Sequence, residues 1–210
     1  EAGIVLITES GADGFTLREV ARRADVSPGA PYRHFADKDT LLAAVAIEGF
    51  ERLLVAMDEA SSGHPNAMAA FRAQGLSFTK FAINHPAYFR AMYLARLHAD
   101  ERFSELAALR TAANGALREK IAAARDAGAL ADFDEQHIAL AALALVYGTA
   151  RLFVDGVLPS GDEALAEHVS VAVIEVFGLG IVPRQGDPEL AKQRTPTLAV
   201  DLMPAEDSCN

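Results

Sequence analysis

Hydrophobic positions recur along most of this chain at the spacing of one helix face, and no stretch shows the alternation typical of a strand. Residues 17–24 are an example, with apolar side chains at i, i+3, i+4 and i+7. The pattern predicts an all-α protein with about nine helices. Their predicted bounds are residues 2–12, 17–24, 28–35, 38–61, 66–84, 86–94, 104–127, 132–158 and 162–177.

Several helix ends carry local signals of their own. The Thr16 hydroxyl can accept a hydrogen bond from the first turn of the second helix, and Glu19 follows three residues later, as in a capping box. Asp37 is placed to cap the long helix that follows it. Gly128 fits the position just after a helix end, where a left-handed backbone is common.

The predicted eighth helix opens at Asp132, with Glu135 in the capping-box position. Residues 138–158 are apolar on nearly every side, and a helix apolar on all sides is buried on all sides. Because Arg151 and Asp155 lie within it, we expect burial in a bundle or dimer interface and no membrane span.

Residues 15–42 combine a helix, a tight turn and a second, shorter helix. Ser27 is predicted to cap the shorter helix, and Pro28 takes its first position, where a missing N–H carries no penalty. A helix of two turns is not stable alone, so apolar side chains must hold it. The predicted anchors are Val26, Tyr32 and Phe35. This is the helix-turn-helix arrangement, whose second helix can enter the DNA major groove; a helical corner without DNA contact is the alternative.

Residues 26–42, V-S-P-G-A-P-Y-R-H-F-A-D-K-D-T-L-L, resemble the DNA-binding signature of the tetracycline-repressor (TetR) family of bacterial transcription regulators. The resemblance implies phosphate contacts from Thr16, Tyr32, His34 and Lys38. It implies base contacts from residues 27–33, namely Ser27, Pro28, Gly29, Ala30, Pro31 and Arg33. Pro31 stands where the family commonly has Leu or Val, and its ring still allows apolar contact with a thymine methyl.

The resemblance also implies an organisation for the rest of the chain. We expect a helix-turn-helix DNA-binding domain at 1–45, a helical regulatory and dimerisation domain at 46–180, and a loosely ordered tail at 181–210. Family members form homodimers by pairing the last two long helices into a four-helix bundle, and they bind roughly palindromic double-stranded operator DNA. Their first helix commonly begins earlier, so residues upstream of Glu1 are expected. The C-terminal part resembles a subclass with a W…HG pattern, although Tyr147 stands where that pattern has His and the chain has no Trp.

Large apolar residues are concentrated in the middle of the chain. They are Phe71, Phe78, Phe81, Tyr88, Phe89, Met92 and Tyr93. They form either a plain core or the lining of a small-molecule site, in which Gly75 would leave space. Tyr147 and Arg151 lie one turn apart on the apolar helix. A buried Arg needs a partner, which is either a carboxylate such as Asp155 or an anionic or carbonyl-bearing ligand.

Composition and missing motifs narrow the classes of function. The chain is 51% hydrophobic and 23% charged, which is ordinary for a soluble globular protein. A net charge of −10 argues against a general nucleic-acid binder, although a DNA surface needs only a local basic patch. The single cysteine, Cys209, suits a reducing cytoplasm, and no apolar run has the length of a membrane span. No His pair, nucleophile–base set or phosphate loop stands out, so we expect no metal, cofactor or enzyme activity.

Three hypotheses follow. The first is a ligand-responsive DNA-binding transcriptional regulator, acting as a repressor that a small apolar or amphipathic effector releases. The second is a helical small-molecule-binding or enzymatic domain with a vestigial helix-turn-helix, which turnover without duplex-DNA affinity would favour. The third is an architectural DNA-binding dimer, which a solid core around residues 71–93 would favour.

Overall fold

The computed structural model describes residues 1–159 and 161–181 of the 210-residue chain, and these ranges contain helices and no strand. The α-helices are α1 (Ala2–Ser10), α2 (Leu17–Arg23), α3 (Lys38–Ser61), α4 (Ala67–Asn84), α5 (Pro86–Met92), α6 (Ala95–His98), α7 (Ser104–Asp126), α8 (Glu135–Val154) and α9 (Glu163–Ile181). Two 3₁₀ helices lie at Pro31–Arg33 and Glu101–Phe103. The all-α prediction is confirmed for these residues, and the predicted tail beyond Ile181 lies outside them.

Two of the helix ends predicted from local signals are observed. The Asp37 carboxylate accepts a hydrogen bond from the Thr40 amide at 2.7 Å, which caps α3. Gly128 follows α7 with φ of 67°, the left-handed conformation that glycine adopts without strain. Both signals act within a few residues, which is why the sequence alone reveals them.

The start of α8 differs from the prediction. Asp134, and not Asp132, is the cap, and its carboxylate accepts hydrogen bonds from the amides of Gln136 at 2.9 Å and His137 at 3.3 Å. Glu135 is therefore the first helical residue, so the predicted capping box at Asp132 is wrong. Two aspartates two residues apart offer the same local chemistry, and only one of them can occupy the cap.

The chain divides into two compact units, residues 1–53 with 84–110, and residues 54–83 with those from 111 onward. In the first unit α1 packs against α2 and α5. The Arg23 guanidinium holds both carboxylate oxygens of Glu9, at 2.7 and 2.8 Å, and ties α2 to α1. Gly49 lets α5 approach α3, because a Cβ there would lie 2.8 Å from Met92 Sδ.

In the second unit α8 packs against α9, and a cluster of buried apolar residues forms a core. Its members are Phe71, Ile121, Ala124, Leu130, Ile138, Ala139, Ala142 and Ile181. The sequence predicts space at Gly75, but a Cβ there would lie 3.3 Å from Ile174 Cδ1 and 3.6 Å from Val146 Cγ1. The missing side chain at Gly75 thus serves close helix packing and leaves no room of its own.

Helix α8 is not buried on every side within one chain. Ala141, Ala144 and Leu152 are exposed in the single chain, so burial on all sides stays a prediction that depends on a dimer partner. The chain's own packing covers only part of the helix surface. Helices α8 and α9 both have the length and hydropathy of a membrane span, a property that core helices of soluble proteins share.

Candidate nucleic-acid interface and ligand site

Helix α2 begins with a complete capping box. The Thr16 hydroxyl accepts a hydrogen bond from the Glu19 amide at 3.3 Å, which confirms Thr16 as the cap. The hydroxyl and the amide of Thr16 both donate to the Glu19 carboxylate, at 2.9 and 2.7 Å. These bonds favour the charged carboxylate and lower the pKa of Glu19.

The segment after α2 is a turn and not the predicted helix over 28–35. Pro31 has no N–H to donate to the Ser27 carbonyl, and in an α-helix its ring would clash with that carbonyl. The Ser27 carbonyl instead accepts a hydrogen bond from the Ala30 amide at 2.9 Å. A single 3₁₀ turn follows at Pro31–Arg33. The predicted helix cap and first helical position are therefore wrong.

The anchors of this turn also differ from the prediction. Val26 is 46% exposed and Tyr32 is 51% exposed, so neither holds the turn from behind. Pro31 is buried and Phe35 is half-buried. A 3₁₀ turn places successive side chains at other angles than an α-helix does. Pro31, for which the resemblance implies a base contact, is the anchor in this structure.

The other predicted DNA contacts of this segment lie at or near the surface. Exposed residues are Ser27, Pro28, Gly29, Tyr32, Arg33 and His34, and Ala30 is half-buried. A Cβ built on Gly29 would meet nothing within 4 Å, so the backbone is open to a second molecule. The guanidinium groups of Arg18 and Arg33 make no ion pair or hydrogen bond with the described residues. Both are thus available for phosphate or base edges.

Lys38 is engaged within the chain. Its ammonium lies 3.2 Å from the Asp13 carbonyl oxygen and 3.8 Å from the Asp13 carboxylate. It also lies 5.5 Å from the centre of the Phe15 ring, within reach of a cation–π interaction. A phosphate contact from Lys38 would have to replace the Asp13 contacts.

Arg96 joins the segment after α5 to the start of α3. Its Nε lies 2.9 Å from Asp39 Oδ1, and its Nη2 lies 3.0 Å from Asp13 Oδ1. Arg96 and Asp39 are 57 positions apart in sequence, so no local pattern reveals the pair.

Arg102 makes a second connection to the same region. It lies 2.9 Å from Asp37 Oδ2 and 2.7 Å from Asp100 Oδ2. The hydrogen bonds from Arg102 and Thr40 hold the pKa of Asp37 at about 2, well below its ordinary value. Single exposed ion pairs stabilise by about 1 kcal/mol or less. Two of them, however, join residues 95–103 to the start of α3, at Asp39 and at the cap Asp37, and a third joins Arg96 to Asp13.

The predicted ligand-site residues belong to both compact units. The first unit contains Phe89, Met92 and Tyr93, and the second contains Phe71, Phe78, Phe81, Tyr147 and Arg151. Phe89 and Met92 are buried and Tyr93 is half-buried. The Tyr93 ring centre lies 5.0 Å from that of Phe89 and 6.0 Å from that of Phe50, so this group packs within the first unit.

The aromatic face of α4 contains one polar residue, Gln74. Phe71, Phe78 and Phe81 are buried, and Gln74, three residues after Phe71 and four before Phe78, is only 3% exposed. Its Nε2 donates a hydrogen bond to the Ala116 carbonyl at 3.3 Å, while its Oε1 has no partner among the described residues. Gln74 is missing from the predicted site, although its spacing places it on the aromatic face.

Arg151 forms the internal pair that the sequence offers as one alternative. Its Nη2 lies 2.7 Å from Asp155 Oδ2, and both side chains are partly exposed. This guanidinium is therefore not a buried charge that needs a ligand anion. Tyr147 is half-buried one turn earlier. Ligand contacts from Tyr147 and Arg151 stay predictions.

Among the described residues, His, Cys, Asp and Glu side chains form no group of three or more that could hold a metal ion.

Two family models match the chain. The model for bacterial regulatory proteins of the tetR family matches residues 1–45, and the model for the tetracyclin repressor-like C-terminal domain matches residues 71–173. The second description names no finer subclass, so the W…HG assignment stays a prediction. None of the curated proteins matches the chain.

Solved structures share the fold. A protein with unknown function from Rhodococcus sp. RHA1 is 32% identical, with a TM-score of 0.72 over 86% of this chain and 92% of that chain. A bacterial regulatory protein in the tetR family from Rhodococcus RHA1 is 25% identical, with a TM-score of 0.73 over 87% of this chain and 94% of that chain. The ketosteroid transcriptional regulator KstR2 of Mycobacterium tuberculosis is 16% identical and similar in fold, with a TM-score of 0.72 over 87% and 92% of the two chains. The chain belongs to the tetR family of bacterial regulatory proteins and is a ligand-responsive, DNA-binding transcriptional regulator.

Proposed function

We propose that the chain represses transcription as a homodimer, binds a roughly palindromic operator and is released by a small apolar or amphipathic effector. It acts in the cytoplasm, and by binding rather than by catalysis. The observation that carries this proposal is the segment 27–34, which is exposed except at Ala30 and Pro31 and whose Arg33 guanidinium is unpaired among the described residues.

The exposure of this segment supports the DNA contacts that the family resemblance implies. We assign phosphate contacts to Thr16, Tyr32, His34 and Lys38, and base contacts to Ser27, Pro28, Gly29, Ala30 and Arg33. The open space around Gly29 supports close approach of the segment to a groove. Arg33 is the strongest candidate for reading a base, because its planar guanidinium can bind both acceptors of a guanine edge.

Exposed apolar residues on the last helix support the dimer. Val176 and Leu179 lie one turn apart on α9 and are 72% and 73% exposed. A partner α9 would bury them, and a two-fold dimer would place two segments 27–34 on successive major-groove turns, about 34 Å apart.

The buried aromatic face of α4 supports an apolar effector, since small-molecule sites are mostly apolar with a few polar groups. The effector can release DNA only if it binds the DNA-incompetent conformation more tightly than the competent one. We expect it to act through α3, which begins directly after the helix-turn-helix.

Fluorescence anisotropy of the protein on the DNA upstream of its own gene, against scrambled DNA at two salt concentrations, tests this function. We expect selective binding that persists at the higher salt concentration. Arg33→Ala should weaken operator binding by about 1–3 kcal/mol and relax selectivity at one position. Lys80→Ala removes the same charge from an exposed position on α4 and should change little.

The same assay separates the possible roles of Arg33. Equal weakening on all sequences would make Arg33 a phosphate contact. The proposed function would be contradicted if the wild-type protein showed no sequence selectivity at either salt concentration. This result would have to hold for genome-derived fragments as well as for the upstream DNA.

A further inference from the structure

Gln74 differs from Thr79 and Thr149, two other buried polar residues of its unit. The hydroxyls of Thr79 and Thr149 donate to carbonyl oxygens of their own helices, at 3.0 and 2.8 Å. Gln74 Nε2 instead donates a hydrogen bond to the Ala116 carbonyl of α7, and Gln74 Oε1 has no partner among the described residues. A buried polar atom that forms no hydrogen bond is destabilising, so such atoms are rare in folded proteins.

The Ala116 carbonyl decides which atom of the amide lacks a partner. A carbonyl oxygen can only accept, so the Gln74 atom that faces it must be the NH₂ nitrogen. The reversed orientation would place two acceptors against each other. The unpartnered atom is therefore the Oε1 acceptor, and only a hydrogen-bond donor can satisfy it.

The surroundings define the rest of the ligand. Phe71 and Phe78 lie one turn on either side of Gln74 on α4, and both are buried. The adjacent Gly75 packs closely against the side chains of Ile174 and Val146, so the neighbouring surface is also apolar. One acceptor on an apolar face favours a ligand with an apolar body and one neutral donor. A carboxylate, ketone or ether oxygen offers Oε1 nothing.

We propose that Gln74 is the polar, specificity-determining contact of the effector site, and that the effector is an apolar molecule that carries a hydroxyl or N–H donor. The inference rests on the proposed function, because it assigns a ligand class to that effector. Binding would satisfy an acceptor that has no partner among the described residues, so the donor contributes selectivity against analogues that lack it.

Calorimetry with matched probes tests this assignment. One pair is 1-decanol and decyl methyl ether, and the other is 2-naphthol and 2-methoxynaphthalene. In each pair the ether keeps the apolar body and lacks the donor. We expect at least one donor probe to bind wild-type protein roughly tenfold more tightly than its ether, as one buried hydrogen bond predicts. Gln74→Met keeps the side-chain length without the acceptor and should bind both members within about twofold.

A control variant and a spectroscopic measurement test whether the preference arises at Gln74. Thr79→Val removes a buried hydroxyl from the same helix and should retain the wild-type preference. The Gln74 side-chain amide resonance should shift with the donor probe and not with its ether. Equal affinities within both pairs, or no binding of any of the four probes, would overturn the proposal.

Operator binding by the same samples separates the Gln74 assignment from the proposed repressor function. If wild-type protein and Gln74→Met both bind DNA selectively but no donor preference exists, only the Gln74 assignment fails. If the donor preference exists without selective DNA binding, the repressor function fails and the ligand assignment stands.

Discussion

Pro31 shows how much one missing N–H changes the conformation of the segment that we propose to contact DNA. Its neighbours match the family signature, yet the Ser27 carbonyl is bonded to the Ala30 amide and the segment is a turn. The same proline is buried, whereas Tyr32 beside it projects to the surface. Pro31 is thus the buried anchor of this turn, a role that the sequence pattern predicts for Tyr32, and Tyr32 is exposed.

His98 should make stability depend on pH near neutrality. Its Nε2 lies 2.6 Å from the Met92 carbonyl, which only accepts, so Nε2 carries the proton and the buried Nδ1 does not. Burial, aided by the charge of Arg110, lowers the pKa of His98. On acidification the unfolded state therefore takes up the proton first. The stabilisation is fully present above about pH 6.5 and declines below it, by at most about 1.4 kcal/mol per pH unit.

Urea unfolding at pH 7.5 and 5.5 measures this dependence. His98→Gln keeps a donor for the Met92 carbonyl and cannot titrate, so its free energy of unfolding should fall less on acidification than that of the wild type. The exposed His64, changed to Gln, is the matched control and should leave the wild-type dependence intact. A dependence unchanged in His98→Gln would show that other groups produce it.

At the scale of the element, the start of α3 combines a cap with an ion pair. Asp37 accepts from the Thr40 amide and pairs with Arg102, and these bonds lower its pKa to about 2. Asp37→Asn keeps an oxygen for the cap and removes the charge. Because the native pKa lies below the unfolded value near 3.8, the charge contributes stability above about pH 4 that is lost as pH falls towards about 2.

Chemical unfolding of wild type and Asp37→Asn between pH 3 and 6 checks this expectation. Asp37 is partly exposed, so the variant should be less stable by about 1 kcal/mol or less at pH 6. The difference should shrink towards pH 3. The exposed Asp58→Asn, near the end of α3, should give no such difference. A gap that stayed constant over this range would assign the effect to the cap and not to the charge.

Elements were predictable where their signals are local. The caps at Thr16 and Asp37 each depend on chemistry within three residues and are observed. The start of α8 was missed because two nearby aspartates offer equivalent caps. The pairs of Arg96 and Arg102 with the start of α3 span 57 and 65 positions, and the burial of Gln74 depends on α7. Such features arise from tertiary packing, which spacing along one helix does not encode.

At the scale of the whole molecule, the chain is acidic, with a net charge of −10, and should not bind DNA by charge alone. Residues such as Arg18 and Arg33 can form only a small number of phosphate and base contacts per chain. A dimer doubles that number and makes the second contact intramolecular, which raises the overall affinity by about 10²–10⁴. We therefore expect tight operator binding by this chain to need two copies held together.

Replacing Val176 and Leu179 together with Arg should separate those copies. In the proposed dimer, the two introduced arginines of one chain would be buried against those of its partner. The apolar area that Val176 and Leu179 contribute on α9 would also be lost. We expect a monomer by analytical ultracentrifugation, unchanged helical circular dichroism and at least about a hundredfold weaker operator binding.

The slope of log affinity against log salt should fall by about half, because a monomer makes half the phosphate contacts and each contact contributes about −0.9 to the slope. Val55→Arg, at another exposed apolar position, should leave the dimer intact. A persistent dimer with wild-type affinity would place the interface elsewhere, because two guanidinium groups cannot remain in an apolar interface without anionic partners.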